Sequence, residues 1–367
     1  DLTQYPLTAL HHRRWGSDRD VIVDVSNGMS FFTPFVAPNA TTVSFVHHVH
    51  LAQWGMYFPK PIAALGRALE RDVMPRAYRD SLCVTVSPST RDDLIGLGYR
   101  ADRVRVLPAA ALLEQVATPR ARQPTFVALG RLTQHKRLDL LLDIWSDVRT
   151  DLGGGELIII GDGPERRHLE QRAPAGTTFT GRVDEHRKAE LLATSWGLVH
   201  AASHEGWGLV ITEAGLAGTP SLAFDVPGVR DAIESGVSGM LASDRDSFAE
   251  AWLRLSRDAD LRHALGNGAR ERAEQASLDT RVDAFEQALA EAVDLDRQRT
   301  AGITVGDIFS STNTPLAPAT LASRGQSIEL SIVVPAFNEA TRIPRLLEGL
   351  GEHCNVATTE LIVVDDG

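Results

Sequence analysis

Two glutamates, Glu205 and Glu213, flank a glycine-containing turn in the segment HEGWGLVITEAGLAGTP, residues 204–220. An apolar run precedes the segment and a helical pattern follows it, which predicts a buried parallel strand, a turn and a helix. The first N–H groups of a helix have no partner within the helix, and the helix dipole favours negative charge beside them. The amides of Leu209 and Val210 are therefore placed to bind a phosphate group.

Other residues of the same turn suit the rest of a nucleotide. Gly206 and Gly208 have no side chain, so a ligand can approach the backbone there. Glu213 lies about one turn into the helix, where its carboxylate can accept hydrogen bonds from ribose hydroxyls. The pattern thus predicts a pocket for a nucleotide diphosphate. The alternative is that Glu205 is a solvated loop residue and Glu213 a carboxylate favoured by the helix dipole.

A second segment, ALGRLTQHKRLDLLL at residues 128–142, brings two cations to the end of another predicted strand. The strand delivers Gly130 and Arg131 to its carboxyl end, and a helix is predicted to begin near Lys136. Open α/β sheets bind ligands at this edge. Two cations there would neutralise a diphosphate and would stabilise it further as it leaves and its charge grows. Read singly, either cation could instead be an ordinary solvated side chain.

These segments resemble the motifs of a known enzyme family. Residues 204–220 look like the E-x7-E signature of glycosyltransferase family 4, and GRLTQHK is similar to that family's G-R-L…K element. The segments IIIGDGPERRHLE at 158–170 and FTGRV at 179–183 resemble further family motifs in the same order. The match covers about residues 20–295. It implies an α/β protein of the GT-B fold, with two Rossmann-like domains facing a cleft, and a retaining transfer reaction.

The resemblance also implies roles for single residues. By the family pattern, Arg131 and Lys136 hold the donor diphosphate, Glu213 holds the ribose, and Glu205 lies on the side of the transferred sugar. The backbone around Arg182 and Val183 is expected to face the base. The expected substrate-binding positions in these motifs are Gly130, Gly161, Gly206, Leu209, Val210, Arg182 and Val183.

The histidine-rich segment FVHHVHLAQW, residues 45–54, is the candidate contribution of the first domain. His47 comes at the end of a predicted strand, and family members carry a histidine near the reacting sugar at about this point. Ordinary packing or solvation of the histidines is one alternative. A metal site with His48 and His50 is another, but no carboxylate or thiolate accompanies them. We expect no metal and no bound cofactor in this part of the chain.

Strand and helix patterns alternate along the chain, which predicts parallel βαβ units. We expect an N-terminal, acceptor-side domain over 1–115 and a donor-binding domain over 116–295. A flexible connector rich in Thr, Ser, Ala, Pro and Gly is expected over 296–327. The pattern then restarts over 328–367.

The restart, IELSIVVPAFNEATRIPRLLEGL followed by TELIVVDDG, resembles the opening of glycosyltransferase family 2, of the GT-A fold. Its RIP segment looks most like the polyprenyl-phosphate sugar synthases, and the resemblance implies that Asp366 touches a nucleotide. A complete module of this kind needs a divalent metal, whose D-x-D motif is absent here. The alternative is any Rossmann-like half domain.

Composition narrows the function further. The chain has 367 residues, a net charge of −11 and a pI near 5.6, which argues against general nucleic-acid binding. Two cysteines, Cys83 and Cys354, are too few for a disulfide framework. No apolar run approaches the roughly 18 residues of a membrane span. We expect a cytoplasmic protein, compatible with peripheral association at the inner face of a membrane, and we expect the chain to be a fragment of a longer one.

The resemblance therefore implies a retaining glycosyltransferase, and the cations and helix N–H groups of the pocket predict that it needs no metal. The donor is expected to be GDP-mannose or a UDP-hexose, and the acceptor a lipid-linked or polysaccharide-precursor sugar of the cell envelope. A nucleotide-sugar 2-epimerase of the same architecture and a nucleotide-sugar-binding scaffold remain alternatives. Two departures from the family stand against turnover: Pro108-Ala109-Ala110 replaces a common Pro-Asn-Gly, and the family's first strand and glycine-rich loop are not found.

Overall fold

The structure is a computed structural model, and the chain in it forms two compact units. It describes residues 21–26, 28–276, 278–300, 330–336 and 359–365. The first unit comprises residues 1–86, 90–107 and 282–367, and the second comprises 87–89 and 108–281. Among the described residues, no helix combines the length and the apolar character that crossing a bilayer requires.

The N-terminal part of the first unit alternates short buried strands with helices. Its strands are Val21–Ser26 (β1), Thr41–Val46 (β2), Leu82–Thr85 (β3) and Val104–Val106 (β4), all parallel. Its α-helices are Thr33–Val36 (α1), Trp54–Tyr57 (α2), Lys60–Ala68 (α3), Met74–Ala77 (α4) and Pro88–Gly96 (α5). A π-helical turn, Leu69–Val73, joins α3 to α4, and a 3₁₀ turn, Ala101–Arg103, precedes β4. This is the predicted βαβ pattern.

The second unit is built on a parallel sheet of six strands within the described chain. The strands are Thr125–Leu129 (β5), Glu156–Ile160 (β6), Thr177–Gly181 (β7), Gly197–His200 (β8), Ser221–Phe224 (β9) and Gly239–Ala242 (β10). Their spatial order is β7-β6-β5-β8-β9-β10. This is the order of a Rossmann sheet, in which the chain direction across the sheet reverses between the first and fourth strands.

Helices cover that sheet. They are Leu138–Leu152 (α6), Arg166–Arg172 (α7), Glu185–Thr194 (α8), Leu209–Leu216 (α9), Val229–Ala232 (α10), Arg245–Arg257 (α11) and Ala259–Glu274 (α12). Trp145 of α6 and Trp252 of α11 stack at 5.3 Å between ring centroids, both against Phe126 of β5. All three side chains are fully buried. This aromatic cluster fixes β5, and with it the loop that follows β5.

The long helix Leu278–Thr300 (α13) packs on the first unit. Its apolar residues Ala288, Leu289, Ala292 and Val293 share a core cluster with β1, β2 and β3. Arg105 of β4 donates to Glu291, with Nε 3.0 Å from Oε2. The sequence placed this helix in the donor-binding domain and began a connector at 296. The structure instead joins it to the first unit and continues it to Thr300, because its apolar stripe covers that unit's sheet.

Two strands near the end of the chain extend the same sheet. They are Leu330–Ala336 (β11) and Thr359–Asp365 (β12). The parallel order in the first unit is β12-β11-β1-β2-β3-β4, with Val21 opposite Leu330. These strands are the described part of residues 328–367, and Asp366 lies outside it. The sequence predicted a separate domain over 328–367, but its described strands belong to the sheet of the first unit because Leu330 pairs with Val21; the resemblance to a GT-A module stays a prediction.

Candidate functional site

The carboxyl ends of β5 and β8 meet at the point where the strand order of the second unit reverses. A pocket opens there, lined in part by Gly130, Arg131, Lys136, His200 and Ala201. Such switch points are where open α/β sheets bind ligands, because the loops of neighbouring strands diverge and leave a crevice. The structure thus places both predicted cations at the carboxyl edge of the sheet, as the sequence indicated.

Lys136 and Glu205 form a half-buried ion pair beside this pocket. The ammonium group of Lys136 donates to Oε1 of Glu205, and Nε2 of His200 lies 3.2 Å from the same oxygen. Burial alone would raise the pKa of the Glu205 carboxyl, but contact with His200 and the charge of Lys136 outweigh burial and lower it. Glu205 is therefore a carboxylate at neutral pH.

Sequence reasoning missed His200. It is the last residue of β8, and only 5% of its side chain is exposed. The sequence did contain a signal: His200 is a polar residue at the end of an otherwise apolar strand, GLVH. Because it lies at the end of the strand at the switch point, His200 reaches Glu205 across the start of the next loop.

Backbone contacts join the loop after β5, which carries Lys136, to the loop after β8, which carries Glu205 and is called the glutamate loop. The N–H of Ser203 donates to the carbonyl of His135 at 2.9 Å, and the Ser203 hydroxyl donates to the same oxygen at 3.2 Å. Gly228 packs against the other side of the glutamate loop, where an added Cβ would lie 2.2 Å from the carbonyl oxygen of Glu205. The positions of Lys136 and Glu205 therefore depend on each other through the main chain as well as the ion pair.

Gly161 has a packing function that the sequence did not predict. Its φ is 129°, and an added Cβ would lie 2.0 Å from the carbonyl oxygen of Gly130. Nearby, the N–H of Leu132 donates to the carbonyl of Asp162 at 2.9 Å. The loops after β5 and β6 thus touch backbone to backbone, and a role for Gly161 in substrate binding stays a prediction.

The N-terminus of α9 lies directly after the glutamate loop. Gly208 precedes the helix with φ 84°, a left-handed conformation that favours glycine, and no side chain in the described chain caps the helix. The indole N–H of Trp207 donates to the hydroxyl of Thr212 at 3.0 Å and fixes the turn. Leu209 is 46% exposed, and Gly206 is buried. The predicted strand–turn–helix arrangement is present, with the helix beginning at Leu209.

Glu213 has a cationic neighbour that the sequence did not predict. Nζ of Lys188, on α8, lies 2.6 Å from Oε1 of Glu213 and 2.6 Å from Oε2 of Glu185. Burial opposes the charge of Lys188, but the two carboxylates outweigh it and raise the lysine pKa. The Glu213 and Lys188 side chains are 16% and 12% exposed. The carboxylate expected to hold a ribose is thus held in place by α8.

The remaining predicted residues occupy varied settings. Arg131 is exposed on the loop after β5, and Arg182 is exposed directly after β7. Val183 is half-buried and packs against a core cluster that contains Ile160. Val210 is half-buried in the first turn of α9. The loop after β7 begins two strands away from β5 in the sheet, so a ligand that touches both must extend along the carboxyl edge.

In the first unit, His47 directly follows β2, as predicted, and its ring lies 5.1 Å from that of Phe45. The rings of His48 and His50 stack at 3.8 Å, and Gln53 Nε2 is 3.1 Å from Nε2 of His48. Within the residues that the structure describes, no three His, Cys, Asp or Glu side chains converge as metal ligands. The histidine cluster is organised by stacking and hydrogen bonds.

Two successive segments of the chain are similar to known protein families. Residues 113–272 match the model of the glycosyl transferases group 1, and residues 4–110 match that of a glycosyl transferase 4-like domain. A GDP-mannose-dependent alpha-(1-6)-phosphatidylinositol monomannoside mannosyltransferase of Mycobacterium tuberculosis is 30% identical over 244 residues, 61% of this chain and 63% of the relative. A GDP-mannose-dependent alpha-mannosyltransferase of the same organism is 33% identical over 214 residues, 58% of this chain and 50% of the relative.

The chain thus spans less than two thirds of the length of these relatives. Among solved structures, Anabaena HepE in complex with UDP and glucose has a TM-score of 0.63 at 17% identity, covering 77% of this chain and 81% of HepE. A TarM variant of S. aureus has a TM-score of 0.57 at 18% identity, covering 70% and 54%. Both likenesses concern the fold. Two successive segments of the chain thus match glycosyl transferase domain models, and its fold is the GT-B fold of these solved structures.

Proposed function

We propose that this chain is a retaining glycosyltransferase that uses a nucleotide diphosphate sugar, GDP-mannose first and a UDP-hexose second. The proposed acceptor is a lipid-linked or polysaccharide-precursor sugar. The observation that carries the proposal is the cluster of Lys136, Glu205 and His200 at the switch point, next to the N-terminus of α9. Relatives named as GDP-mannose-dependent mannosyltransferases support the choice of donor.

The donor diphosphate would bind between the two loops of the switch point. Arg131 and Lys136 supply positive charge there, and the amides of Leu209 and Val210 supply N–H donors at the positive end of the α9 dipole. This charge is what Mg²⁺ supplies in many other phosphate sites. The GT-B part is therefore proposed to work without a divalent metal, and its activity is expected to survive EDTA.

Glu205 would lie beside the transferred sugar. Because it is ionised, it can accept hydrogen bonds from sugar hydroxyls and stabilise positive charge that develops at the anomeric carbon. Lys136 would then be shared between Glu205 and the leaving diphosphate. As negative charge grows on the leaving group, its attraction to Lys136 increases, and this lowers the barrier to bond cleavage.

The transfer itself exchanges one bond for another at the anomeric carbon. The bond to the phosphate oxygen breaks, the bond to the acceptor oxygen forms on the same face, and the acceptor's proton passes to the departing phosphate. Glu213, held by Lys188, would receive the ribose hydroxyls, and the backbone at Arg182 and Val183 would face the base. By the family pattern, His47 of the first unit is assigned to the reacting sugar.

A binding screen followed by a product assay tests this function. GDP, UDP and ADP are compared by thermal shift, where a ligand at 100 times its Kd adds about 2.7 kcal/mol of stability. Labelled nucleotide sugars are then incubated with the protein and a lipid-linked acceptor. Glycosylated acceptor supports transfer, an epimerised nucleotide sugar would indicate the 2-epimerase, and binding without product would indicate the scaffold.

A further inference from the structure

The first unit carries an exposed apolar segment that its proposed chemistry does not use. Every residue from Gly55 to Ile62 is exposed. We call the segment Trp54–Ala68, formed by α2, the connecting residues Phe58 and Pro59, and α3, the α2–α3 hairpin. Among the residues that the structure describes, ten large apolar side chains are exposed, and five of them lie on the hairpin: Met56 (38%), Tyr57 (45%), Phe58 (46%), Ile62 (42%) and Leu65 (61%). Apolar exposure concentrated in this way marks an interaction surface.

The hairpin is anchored from beneath, so its exposure is a fixed feature of the fold. The ring of Trp54 packs on Gly66, where an added Cβ would lie 2.4 Å from the indole. The indole N–H donates to Oε2 of Glu70 at 2.8 Å, and the N–H of His50 donates to Oε1 of Glu70 at 2.5 Å. Glu70 is 4% exposed and lies in the π-helical turn. Such turns commonly mark functional positions.

Charge on the hairpin is of one sign. Residues 51–69 contain Lys60 and Arg67 and no Asp or Glu, although the whole chain has a net charge of −11. An added Cβ on Gly55 would lie 3.5 Å from Nη1 of Arg67, so the arginine head lies across the two helices. The next acid along the chain, Glu70, is buried, and Asp72 is paired with Arg71 at 2.7 Å. The surface is therefore apolar and cationic.

We propose that the α2–α3 hairpin docks on the surface of an anionic lipid bilayer. Tyr57 and Phe58 are suited to the interface between headgroups and acyl chains, and Met56, Ile62 and Leu65 add apolar area. Lys60 and Arg67 would meet the anionic headgroups. A protein partner or a second copy of the chain would account for the apolar side chains but gives no reason for the absence of acids. The inference is independent of which donor is bound.

Co-sedimentation with vesicles tests this surface. Vesicles of phosphatidylglycerol mixed with phosphatidylcholine are compared with vesicles of phosphatidylcholine alone, using the full chain. We expect binding to the anionic vesicles that weakens as salt is added. The triple variant Tyr57→Ser, Phe58→Ser, Leu65→Ser should lower the partition coefficient at least tenfold. The matched control, Leu112→Ser with Val237→Ser, replaces exposed apolar residues of the second unit and should bind as the wild type does.

A charge variant covers the case in which the triple variant misfolds. Lys60→Glu with Arg67→Glu should lose binding to anionic vesicles, whereas Arg254→Glu with Arg257→Glu on α11 should not. Equal partition of wild type and both hairpin variants would overturn the proposal. So would self-association without lipid that the hairpin variants abolish. Thermal shifts with GDP and UDP are measured on every variant: vesicle binding without binding of either nucleotide would overturn the proposed function and leave the docking surface standing.

Discussion

Lys136 and Glu205 lie 69 residues apart in the chain, yet their side chains form one ion pair at the carboxyl edge of the second unit's sheet. The lysine comes from the loop after β5 and the glutamate from the loop after β8. With the side chains 17% and 16% exposed, water screens the pair only in part. The charge that would meet a leaving diphosphate is thus positioned by the carboxylate that would meet the sugar.

Replacing Lys136 by alanine tests whether the charge of this lysine acts on the leaving diphosphate. Lys136→Ala should lower kcat more than tenfold, which corresponds to above ~1.4 kcal/mol of transition-state stabilisation. Arg187→Ala, which removes an exposed cation of α8, is the control and should keep wild-type kcat. Steady-state kinetics with a nucleotide sugar measure both. Near-wild-type turnover in Lys136→Ala would remove this lysine from the mechanism.

The Glu213 carboxylate can be separated from its lysine partner by a matched pair of variants. Glu213→Gln should weaken binding of a ribonucleoside diphosphate about tenfold and barely affect the 2′-deoxy form, because the lost acceptor serves the ribose hydroxyls. Glu185→Gln breaks the other ion pair of Lys188 and should leave both affinities unchanged. Calorimetric titration gives the four constants. Equal losses for the two nucleotides in Glu213→Gln would exclude contact with the 2′-hydroxyl.

Two glycines with nearly the same positive φ help to separate loop placement from backbone strain. Gly228 and Gly236 have φ of 81° and 83°, a region that residues with a side chain rarely adopt, so alanine strains the backbone at either position. Only at Gly228 would the new methyl group strike the carbonyl of Glu205, whereas nothing lies within 4 Å of it at Gly236. Gly228→Ala should therefore lower kcat/KM at least tenfold and Gly236→Ala should not. Similar kinetics for the two variants would disconnect this contact from the site.

Glu70 predicts an unusual pH dependence of stability. Burial raises its pKa to about 7 from a usual value of 4.5. The folded protein thus keeps a proton that the unfolded chain has lost, so this stabilisation is complete below pH 4.5 and declines as pH rises through 7. The free energy of unfolding should fall by about 3 kcal/mol over that interval.

Glu70→Gln is the comparison for this effect, since glutamine cannot ionise. Denaturant unfolding at pH 5 and pH 8 should show the decline in the wild type and a smaller one in the variant. Parallel pH profiles for the two proteins would mean that Glu70 does not hold its proton in the folded state.

The strand and helix pattern of the second unit could be predicted from sequence because each element is local. The apolar run before Glu205 and the helical spacing after Lys136 both correspond to elements in the structure. The partners of the key carboxylates could not be predicted. His200 and Lys188 reach Glu205 and Glu213 from other elements, and their distances depend on how β8, α8 and α9 pack.

The position of α13 shows the same limit of sequence-based prediction for a whole helix. Its apolar stripe predicts that it packs on a sheet. Both sheets of this chain have apolar faces, so the stripe does not decide between them. The side chains that decide the choice, such as Arg105 opposite Glu291, are far apart in sequence and ordinary in type. Periodicity therefore predicts that a helix is half-buried and leaves open which surface buries it.

Calorimetric titration of the chain with GDP and UDP tests the central claim most directly, with free mannose as a ligand that lacks the diphosphate. We predict that at least one nucleoside diphosphate binds with one site per chain, that mannose alone does not bind measurably, and that Lys136→Ala weakens nucleotide binding at least tenfold. Absence of binding by either nucleotide, or an affinity that Lys136→Ala leaves unchanged, would contradict the assignment of the switch point of the second unit as the donor site.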